Sequence, residues 1–408
     1  MTSLKVLALE PYYGGSHRAF LDGWIGASEH RWTLLTLPAY QWKWRMRQAP
    51  LSFAAELERP EVADQGPWDV LFATDMLDLA QLAGLAPAAV AALPRVVYFH
   101  ENQLTYPVRH PDPRDLHFGF TNVVTALAAD RVWFNSAFHR AAFSEAAEEL
   151  LRQLPDLGLE RGVDGLMARI TERSVVEPPG IVCPEIEPPE SGKGPGRSEE
   201  REPGPLRLLW AARWEHDKNP EAFFAALELV RERGVDFRVS VLGQSFRQVP
   251  EIFHHARQSL GERIRHWGYA EDRGDYWREL AAADVFVSTA DHEFFGLGAV
   301  EAMAAGAFPL LPRRLAYPEL LAPLSPAAQE EHLFSGESGE PESGALARRI
   351  EELAGRLERT GSVWREPGSV APAMERYFWQ RRAPELDAAL ASVVEGPGPE
   401  PRREPPGA

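Results

Sequence analysis

Cysteine is almost absent from this sequence, which has one, Cys183, in 408 residues. A single cysteine cannot form an internal disulfide, and a four-cysteine zinc site is impossible. We therefore expect a reducing, cytoplasmic compartment. Long hydrophobic runs are absent too: no window approaches the roughly 18 uninterrupted apolar residues of a membrane span, and the N-terminus leads directly into a strand pattern. We expect no transmembrane helix and no signal peptide.

Positive charge is in short supply, because 43 Lys and Arg stand against 60 Asp and Glu, for a net charge of −17. This balance argues against a general nucleic-acid coat protein whose affinity comes from bulk charge, although it leaves room for a local basic patch. The composition, 44% hydrophobic and 25% charged, excludes wholesale disorder and collagen-like fibres. At roughly 100–200 residues per domain, the length predicts two domains.

Short apolar runs rich in β-branched residues recur between longer helical stretches. The first half contains LKVLALE, WTLLTL, DVLFATD, RVVYFHE, RVWFNS and SVVEPP, and the second half contains LRLLWAAR, FRVSVLG, RIRHWGY, VFVSTA and FPLLP. Near-continuous apolar runs that alternate with helices are typical of parallel sheets covered on both faces. The pattern predicts an α/β fold of two Rossmann-like, doubly wound parallel-sheet domains that face a cleft.

Segments rich in proline and glycine divide the chain. We predict an N-terminal domain over residues 1–185, a Pro/Gly-rich linker over 186–205 and a C-terminal domain over 206–370. Residues 371–395 are expected to form a closing helix that packs back towards the N-terminal domain, and residues 396–408 a disordered tail. A second such stretch, from about Ser325 to Glu342 around the acidic Glu331, is expected to be a mobile loop.

Polar residues follow several predicted strands at their carboxyl ends, where the crevice of such a sheet lies. Gly14 and Gly15 follow the first strand and open a helix, so their backbone could approach a phosphate; a tight strand-to-helix turn is the alternative. His100, Glu101 and Asn102 directly follow the fourth strand. Because buried polar groups need partners, these three are expected to line a cleft, with a structural histidine as the alternative for His100.

The sharpest signal lies in the second domain, in the segment DHEFFGLGAVE, which contains Glu293 and Glu301 with seven residues between them. The glycine turn from Gly296, with Leu297 after it, would present free backbone amides as a diphosphate cradle where a helix begins. Glu301, one turn into that helix, could accept two hydroxyl hydrogens from a ribose diol. Glu293, before the turn, would face the group attached to the diphosphate.

Two cations occur upstream of this segment. Arg213 ends the first strand of the second domain, and Lys218 follows five residues later. Near a diphosphate, these cations would stabilise the negative charge that develops on a leaving group, so that no metal is needed. An ordinary surface pair is the alternative.

Taken together, these features resemble a GT-B retaining glycosyltransferase of family 4. More narrowly, the segments YYGGSH, LPAYQWKWRMR, FATDMLDL, FHENQLTYPV, FNSAFHR and EFFGLGAVEAM resemble the tRNA-queuosine α-mannosyltransferase family. The resemblance extends from residue 4 to about residue 320. The blocks in the first domain make it specific, because other family 4 enzymes lack them.

The resemblance implies a hexosyltransferase that moves mannose from GDP-mannose to queuosine in the anticodon of a tRNA, with retention and without a metal or other cofactor. The N-terminal domain would bind the acceptor and the C-terminal domain the nucleotide sugar. Arg213 and Lys218 would bind the donor diphosphate, Glu301 the ribose and Glu293 the transferred sugar. His100 would stabilise positive charge at the anomeric carbon.

The resemblance also implies the rest of the donor site. Gly268 and Tyr269 would lie near the nucleobase, and the glycine pair after the first strand would complete the site. In chemistry of this class the donor phosphate itself takes the acceptor proton. No dedicated protein base is therefore expected.

A cationic, aromatic segment offers an acceptor site that the net charge would otherwise oppose. No acidic residue lies between Glu29 and Glu56, whereas basic residues and tryptophans alternate there. Cations interleaved with aromatic rings suit phosphate contact and base stacking. Core packing under a loop is the alternative for the tryptophans. The predicted acceptor-binding residues are Trp42, Lys43, Trp44, Arg45, Arg47, Glu101 and Asn102.

Two other functions stay open at this point. A family 4 glycosyltransferase acting on a lipid or small-molecule acceptor would need an amphipathic basic helix to dock on a membrane, and the first domain has no clear one. A non-catalytic nucleotide-sugar or RNA-binding module would not need both cations and both glutamates. The sequence leaves open the hexose, the donor base, the tRNA and the oligomeric state.

Overall fold

The computed structural model describes residues 2–107, 115–155, 162–182, 201, 203–244, 249–336, 341–365 and 370–396. The chain divides into two compact units: unit 1 is Met1–Gly180 with Trp379–Ala408, and unit 2 is Ile181–Phe378. Unit 2 is therefore inserted into unit 1. Residues 186–200 and 202 of the predicted linker, and the predicted tail after residue 396, lie outside the described residues.

Unit 1 is built on six parallel strands in the order β2-β1-β3-β4-β5-β6. Each strand coincides with one of the apolar runs. The strands are β1 Lys5–Tyr13, β2 Arg31–Pro38, β3 Val70–Thr74, β4 Arg95–Phe99, β5 Arg131–Phe134 and β6 Ser174–Val176. The order reverses between β1 and β3, and the carboxyl ends at such a switch point form a crevice.

Helices cover both faces of this sheet. Alternate residues of β1 belong to different cores: Leu7 and Leu9 pack with helices on one face, Val6 and Ala8 with helices on the other. The stretch from Val6 to Leu9 is therefore apolar throughout. The helices of unit 1, numbered in chain order, are α1 Gly15–Ala27, α2 Trp42–Leu57, α3 Pro60–Ala63, α4 Leu79–Leu85, α5 Ala88–Ala91, α6 Leu116–Ala128, α7 Ala137–Gln153, α8 Gly162–Arg173 and α17 Trp379–Glu395.

Unit 2 repeats the plan with the strand order β12-β11-β10-β7-β8-β9. Its switch point lies between β7 and β10, which are hydrogen-bonded neighbours. The strands are β7 Leu206–Ala211, β8 Phe237–Leu242, β9 Ile264–Gly268, β10 Val285–Val287, β11 Phe308–Pro312 and β12 Leu333–Phe334. The helices are α9 Pro220–Glu232, α10 Glu251–Leu260, α11 Arg273–Ala282, α12 Leu297–Ala304, α13 Tyr317–Leu320, α14 Pro326–His332, α15 Glu342–Thr360 and α16 Ala371–Met374, with 3-10 turns at His216–Lys218, Gly261–Arg263 and Glu375–Tyr377.

The closing helix begins later than residue 371. Residues 371–378 belong to unit 2, and α17 begins at Trp379 and belongs to the core of unit 1. The Trp379 indole fills a notch that only glycine permits, because a Cβ at Gly23 would lie 2.1 Å from it and one at Gly180 2.3 Å from it. Further along α17, Asp387 accepts a 2.8 Å hydrogen bond from Trp24 Nε1. These contacts fix the helix on unit 1.

The predicted loop around Glu331 is ordered, which corrects the expectation of mobility for residues 325–336. Ser325 caps α14 by accepting a hydrogen bond from the Ala328 backbone N–H at 3.3 Å, and β12 follows directly. Glu331 forms an ion pair with Arg365 at 2.6 Å. Residues 337–340 lie outside the described part of the chain. Among the described helices, none is long and apolar enough to cross a membrane.

Candidate functional site

In unit 2, Lys218 and Glu293 meet at the switch point between β7 and β10. The Lys218 ammonium lies 2.6 Å from the His292 carbonyl oxygen, 3.1 Å from the Asp217 carboxylate and 3.3 Å from Glu293 Oε2. The Lys218 side chain is only 8% exposed. Its charge is thus held in place by two hydrogen bonds and by the ion pair with Asp217, and two residues predicted separately from sequence form one cluster.

A glycine turn borders this cluster. Gly296 adopts φ +101°, a backbone conformation that residues with a side chain rarely adopt. Helix α12 begins at the next residue, Leu297. A Cβ at Gly298 would lie 3.1 Å from the Ala211 carbonyl oxygen, so the helix start and the end of β7 approach closely. Amides in the first turn of a helix lack intrahelical acceptors and favour an anion.

A cavity of about 20 Å³, with room for about one water molecule, opens between these groups. Polar groups dominate its wall, which suits an oxygen atom of a phosphate better than an apolar group. Its lining includes Lys218, Ser288, Glu293, Gly296, Gly298 and Tyr317.

Arg213, the second predicted cation, is largely exposed and lies 3.3 Å from Glu215. The pKa of the neighbouring His292 is lowered to about 4, by burial first and then by the charge of Lys218, against the opposing effects of Glu293 and Asp217. The charge of Arg213 makes the smallest contribution, in the same direction as that of Lys218.

Glu301 faces α11 rather than the lysine cluster. Its two carboxylate oxygens accept hydrogen bonds of 2.7 Å, one from Arg273 and one from the Tyr276 hydroxyl. Burial raises the pKa of Tyr276 well above its ordinary value, and Glu301 raises it further, so the phenol remains a donor. A contact between Glu301 and a ribose stays a prediction. Sequence reasoning missed both α11 partners, which offered no motif.

Gly268 and Tyr269 lie at the carboxyl end of β9. Gly268 adopts φ +123°, and the Tyr269 side chain is 63% exposed and available for stacking. A neighbouring glycine was missed: a Cβ at Gly243 would lie 1.8 Å from the Ala212 carbonyl oxygen. Gly243 also donates to the Gly268 carbonyl oxygen at 3.1 Å. It keeps the ends of β7, β8 and β9 close together.

In unit 1, a second polar cluster occupies the switch point between β1 and β3. Glu10, a fully buried residue of β1, lies 3.2 Å from His17 Nδ1 on α1. The His17 ring faces the His100 ring with centroids 4.1 Å apart and 34° between planes. Asp75, directly after β3, accepts the His100 backbone N–H at 2.8 Å. His100, predicted from sequence, is thus surrounded by groups that the prediction left out.

His100 is uncharged at neutral pH. Burial lowers its pKa well below the usual range, and the charges of His17 and His139 lower it further. Burial raises the pKa of the Asp75 carboxyl to about 8, against the opposing effect of the His17 charge. His100 Nε2 and Asp75 Oδ2 are buried side-chain atoms without a hydrogen-bond partner among the described residues. These atoms have hydrogen-bonding capacity that a ligand could use.

The cluster also has the donor set of a metal centre. Glu10, His17 and His100 each offer a ligand atom, and these atoms lie within 4.8 Å of one another. Two imidazoles and one carboxylate suit zinc. Sequence reasoning expected no metal anywhere.

The neighbouring predicted residues have mainly local contacts. Asn102 is fully buried, and its Oδ1 accepts the backbone N–H groups of Leu104 at 3.0 Å and Thr105 at 2.9 Å, which stabilises a turn. Glu101 is half-buried and accepts a hydrogen bond from the Gln103 side chain at 2.9 Å. Acceptor contacts for both stay predictions.

Gly14 and Gly15 differ from each other. A Cβ at Gly14 would lie 2.5 Å from the Ala39 Cβ, so this glycine is required by close packing. Gly15 opens α1 with φ +54° and has open space beside it. Of the two, Gly15 is the one whose surroundings leave room for a ligand.

The cationic, aromatic segment forms the start of α2 and separates into two faces. Trp42 is half-buried against Phe118 at 5.0 Å, whereas Trp44 is 66% exposed. Lys43 and Arg47, one helical turn apart, lie over the Phe118 ring at 5.7 and 4.9 Å. Arg45, on another side of the helix, donates to the Pro38 carbonyl oxygen at 3.0 Å. Trp42 is therefore a packing residue in part, and Trp44 is free to stack.

Two doubly wound units, one of them with a cation-and-glycine cluster at its switch point, define a GT-B glycosyltransferase. Solved structures agree over the whole fold: a glycosyltransferase from Rickettsia africae has a TM-score of 0.62 at 13% identity, covering 97% of this chain and 100% of its own. HepE from Anabaena, solved in complex with UDP-glucose, has a TM-score of 0.60 at 16% identity, covering 95% and 100%. The predicted fold class is confirmed.

Sequence comparisons identify the family. Residues 5–181 match the family described as tRNA-queuosine alpha-mannosyltransferase N-terminal, and residues 197–353 match glycosyl transferases group 1. The tRNA-queuosine alpha-mannosyltransferase of Drosophila melanogaster is 38% identical over 77% of this chain and 81% of its own length. The chain belongs to the tRNA-queuosine α-mannosyltransferase family, as its motifs predicted.

A more distant relative shares only part of the chain. The GDP-mannose-dependent alpha-(1-6)-phosphatidylinositol dimannoside mannosyltransferase of Mycobacterium tuberculosis is 27% identical over 47% of this chain and 45% of its own length.

Proposed function

We propose that this chain transfers mannose from GDP-mannose to queuosine in the anticodon of a tRNA. The observation that carries the proposal is the match of residues 5–181, nearly all of the first part of unit 1, to the N-terminal family of tRNA-queuosine mannosyltransferases. The Drosophila relative supports the same acceptor by its name. A tRNA acceptor and the single cysteine together favour a cytoplasmic enzyme.

The proposed donor is bound by unit 2. The diphosphate oxygens would take the place offered by Lys218, Arg213 and the amides after Gly296, where positive charge and free N–H groups coincide. These cations would stabilise the charge that develops on the departing diphosphate, so the transfer needs no metal at this point. GDP-mannose is favoured as donor by the name of the mycobacterial relative.

The proposed chemistry is transfer with retention. Glu293, fixed by Lys218 at 3.3 Å, would hold hydroxyls of the transferred sugar. His100, uncharged, would stabilise the positive charge at the anomeric carbon through its ring or its carbonyl oxygen. The donor phosphate would accept the proton of the attacking hydroxyl, so neither residue has to act as a base.

The test is direct. The protein is incubated with queuosine-containing tRNA and a panel of sugar nucleotides, and the digested nucleosides are weighed by mass spectrometry. We expect queuosine to gain one hexosyl residue with GDP-mannose and not with the UDP-sugars. A matched tRNA that carries guanine in place of queuosine should stay unmodified. Transfer to a lipid or small-molecule acceptor, with none to tRNA, would overturn the proposal.

A further inference from the structure

The Glu301 carboxylate is held by two donors from a neighbouring helix. The Arg273 guanidinium donates to one carboxylate oxygen and the Tyr276 hydroxyl to the other, each at 2.7 Å. Glu301 lies on α12, whereas both donors lie on α11. Because each oxygen has its own partner, the two contacts fix the rotation of the carboxylate as well as its position.

The two donors are held in place by α11 and its packing. Asp272 caps this helix by accepting the Gly274 backbone N–H at 2.7 Å, and Trp277 is buried in the core of unit 2. The Arg273 guanidinium lies 5.9 Å from the ring centres of both Tyr276 and Trp277. The cap, the core and the aromatic rings therefore set where the two donors lie.

Part of the hydrogen-bonding capacity of Glu301 is left for a ligand. An ionised carboxylate has about four lone-pair sites. Among the residues that the structure describes, Arg273 and Tyr276 are the donors to this carboxylate. One site on each oxygen is thus left, and 12% of the side chain is exposed. Two neighbouring oxygens with one site each suit two neighbouring hydroxyls, as in a vicinal diol.

Folding stability alone does not account for these two contacts. The Arg273 side chain is 54% exposed, and an ion pair with an exposed partner contributes little to stability because water screens it. The Tyr276 hydroxyl keeps its proton, because burial raises its pKa well above the ordinary value. What the two contacts share is that they orient one carboxylate.

We propose that Arg273 and Tyr276 are positioning residues that aim the Glu301 carboxylate at a vicinal diol, and that they thereby make the donor site select ribonucleotides over deoxyribonucleotides. A carboxylate that is already oriented binds a diol without a further loss of side-chain freedom. The inference rests on the proposed function, in which unit 2 binds a nucleotide sugar, and on the predicted contact between Glu301 and the ribose.

A direct contact between Arg273 and the donor is the alternative, since this side chain is exposed. The geometry favours the positioning role, because the guanidinium is already engaged by the Glu301 carboxylate and by the rings of α11. The two roles differ in one measurable respect. A positioning residue matters only when the ligand carries the diol, whereas a residue that contacts the base or the phosphates matters for every nucleotide.

The test measures the affinity of the full chain for GDP and for dideoxy-GDP, which lacks both ribose hydroxyls, by calorimetry. The variants are Tyr276→Phe, Arg273→Gln and Glu301→Gln. Arg278→Gln is the matched control, because Arg278 is an exposed arginine of the same helix that pairs with Asp275. Thermal melting of each variant shows that it is folded.

We expect the wild type to bind GDP roughly tenfold or more tightly than dideoxy-GDP, as hydrogen bonds to a charged group imply. Tyr276→Phe and Arg273→Gln should each lower this ratio by roughly threefold or more, and Glu301→Gln should bring it close to one. Arg278→Gln should keep the wild-type ratio. In kinetics, the donor KM should rise with little change in kcat, because the ribose is remote from the reacting sugar.

Two results would overturn the inference while leaving a ribose contact in place. An unchanged ratio in both α11 variants, with a lowered ratio in Glu301→Gln, would show that Glu301 binds the diol without help. Equal losses for GDP and dideoxy-GDP would assign the α11 residues to direct contacts with the base or the phosphates.

The failure of the inference and that of the proposed function are distinguishable. If the wild type binds both nucleotides equally, the ribose contact and the positioning role fall together, whereas hexosyl transfer to tRNA would still support the proposed function. If the affinity ratios follow the expectation but no sugar reaches tRNA, the positioning role stands and the proposed acceptor falls.

Discussion

The polar clusters at the two switch points differ in how their charges are arranged. In unit 2, Lys218 sits between carboxylates and beside helix amides, an arrangement that leaves room for an incoming anion. In unit 1, the charge of His17 is matched inside the cluster by Glu10, and His100 stays neutral. The same position in the two sheets thus holds a buried cation in one unit and a buried ion pair beside an uncharged imidazole in the other.

The largest effect should come from the cations of unit 2. Lys218→Ala and Arg213→Ala should each lower turnover by on the order of a hundredfold or more, because each removes stabilisation of the departing diphosphate. Lys218 should matter more, since it is buried and Arg213 is 44% exposed. Steady-state kinetics with GDP-mannose check this. Arg233→Ala, which removes an exposed cation paired with Glu351, is the control.

Near-normal activity in either cation variant would move the proposed diphosphate site elsewhere. Chelators should leave activity intact. A strict requirement for magnesium or manganese would contradict the role given to these two side chains.

The next effect tests whether the two clusters act on the same sugar. His100→Ala and Glu293→Gln should lower kcat by roughly tenfold to a hundredfold, or about 1.4–2.7 kcal/mol of barrier, with smaller changes in donor KM. Both are proposed to act on charge or orientation at the reacting sugar. If only KM rises, the residue binds the ground state. The two clusters would then not both act on the reacting sugar in the transition state.

A smaller effect separates two tryptophans of α2. Trp44→Ala should weaken tRNA binding by about 1 kcal/mol, the low end for base stacking, and leave thermal stability unchanged because the side chain is exposed. Trp42→Ala should lower the melting temperature, because its indole packs on Phe118. Binding titrations and thermal melting of both variants distinguish base stacking from packing. A stability loss in Trp44→Ala would show that it packs in solution.

The smallest effect concerns salt dependence. Reversing Lys43 and Arg47 to Glu should flatten the dependence of tRNA binding on salt by roughly one unit of slope per lost phosphate contact. Arg45→Glu should change it less, because its guanidinium is engaged by the Pro38 carbonyl oxygen. Hydrolysis of donor by water should be unaffected. An unchanged slope with full activity in the double reversal would remove this face from the acceptor site.

The fold was predictable because most of the parallel strands are short and largely apolar. Among the strands of the described residues, only β12 was not predicted, because Leu333–Phe334 is too short to show a period. Its neighbour α14 did have a start signal that sequence reasoning passed over: Ser325 as cap with proline at the first helical position.

The two clusters differ in how many of their residues could be predicted from the sequence. The unit 2 site lies mostly in one contiguous segment, so the spacing of its glycines and of the flanking glutamates made it recognisable in the sequence. Glu10, His17 and Asp75 come from separate parts of the chain: Glu10 from β1, His17 from α1 and Asp75 from the turn after β3. The position of Asp75 directly after β3 was a usable signal, but its proximity to Glu10 and His17 depends on strand order, which one sequence does not specify.

The insertion of unit 2 into unit 1 imposes an order on biosynthesis. The residues that fill the notch at Gly23 and Gly180 and bond Trp24 leave the ribosome only after all of unit 2. At about 5–20 residues per second, some 200 residues of unit 2 emerge first, a delay of roughly 10–40 s. During that interval, the apolar face that Trp379 and Leu386 later cover is open to water or to a chaperone. Translation speed through unit 2 therefore sets how long the nascent unit 1 stays vulnerable.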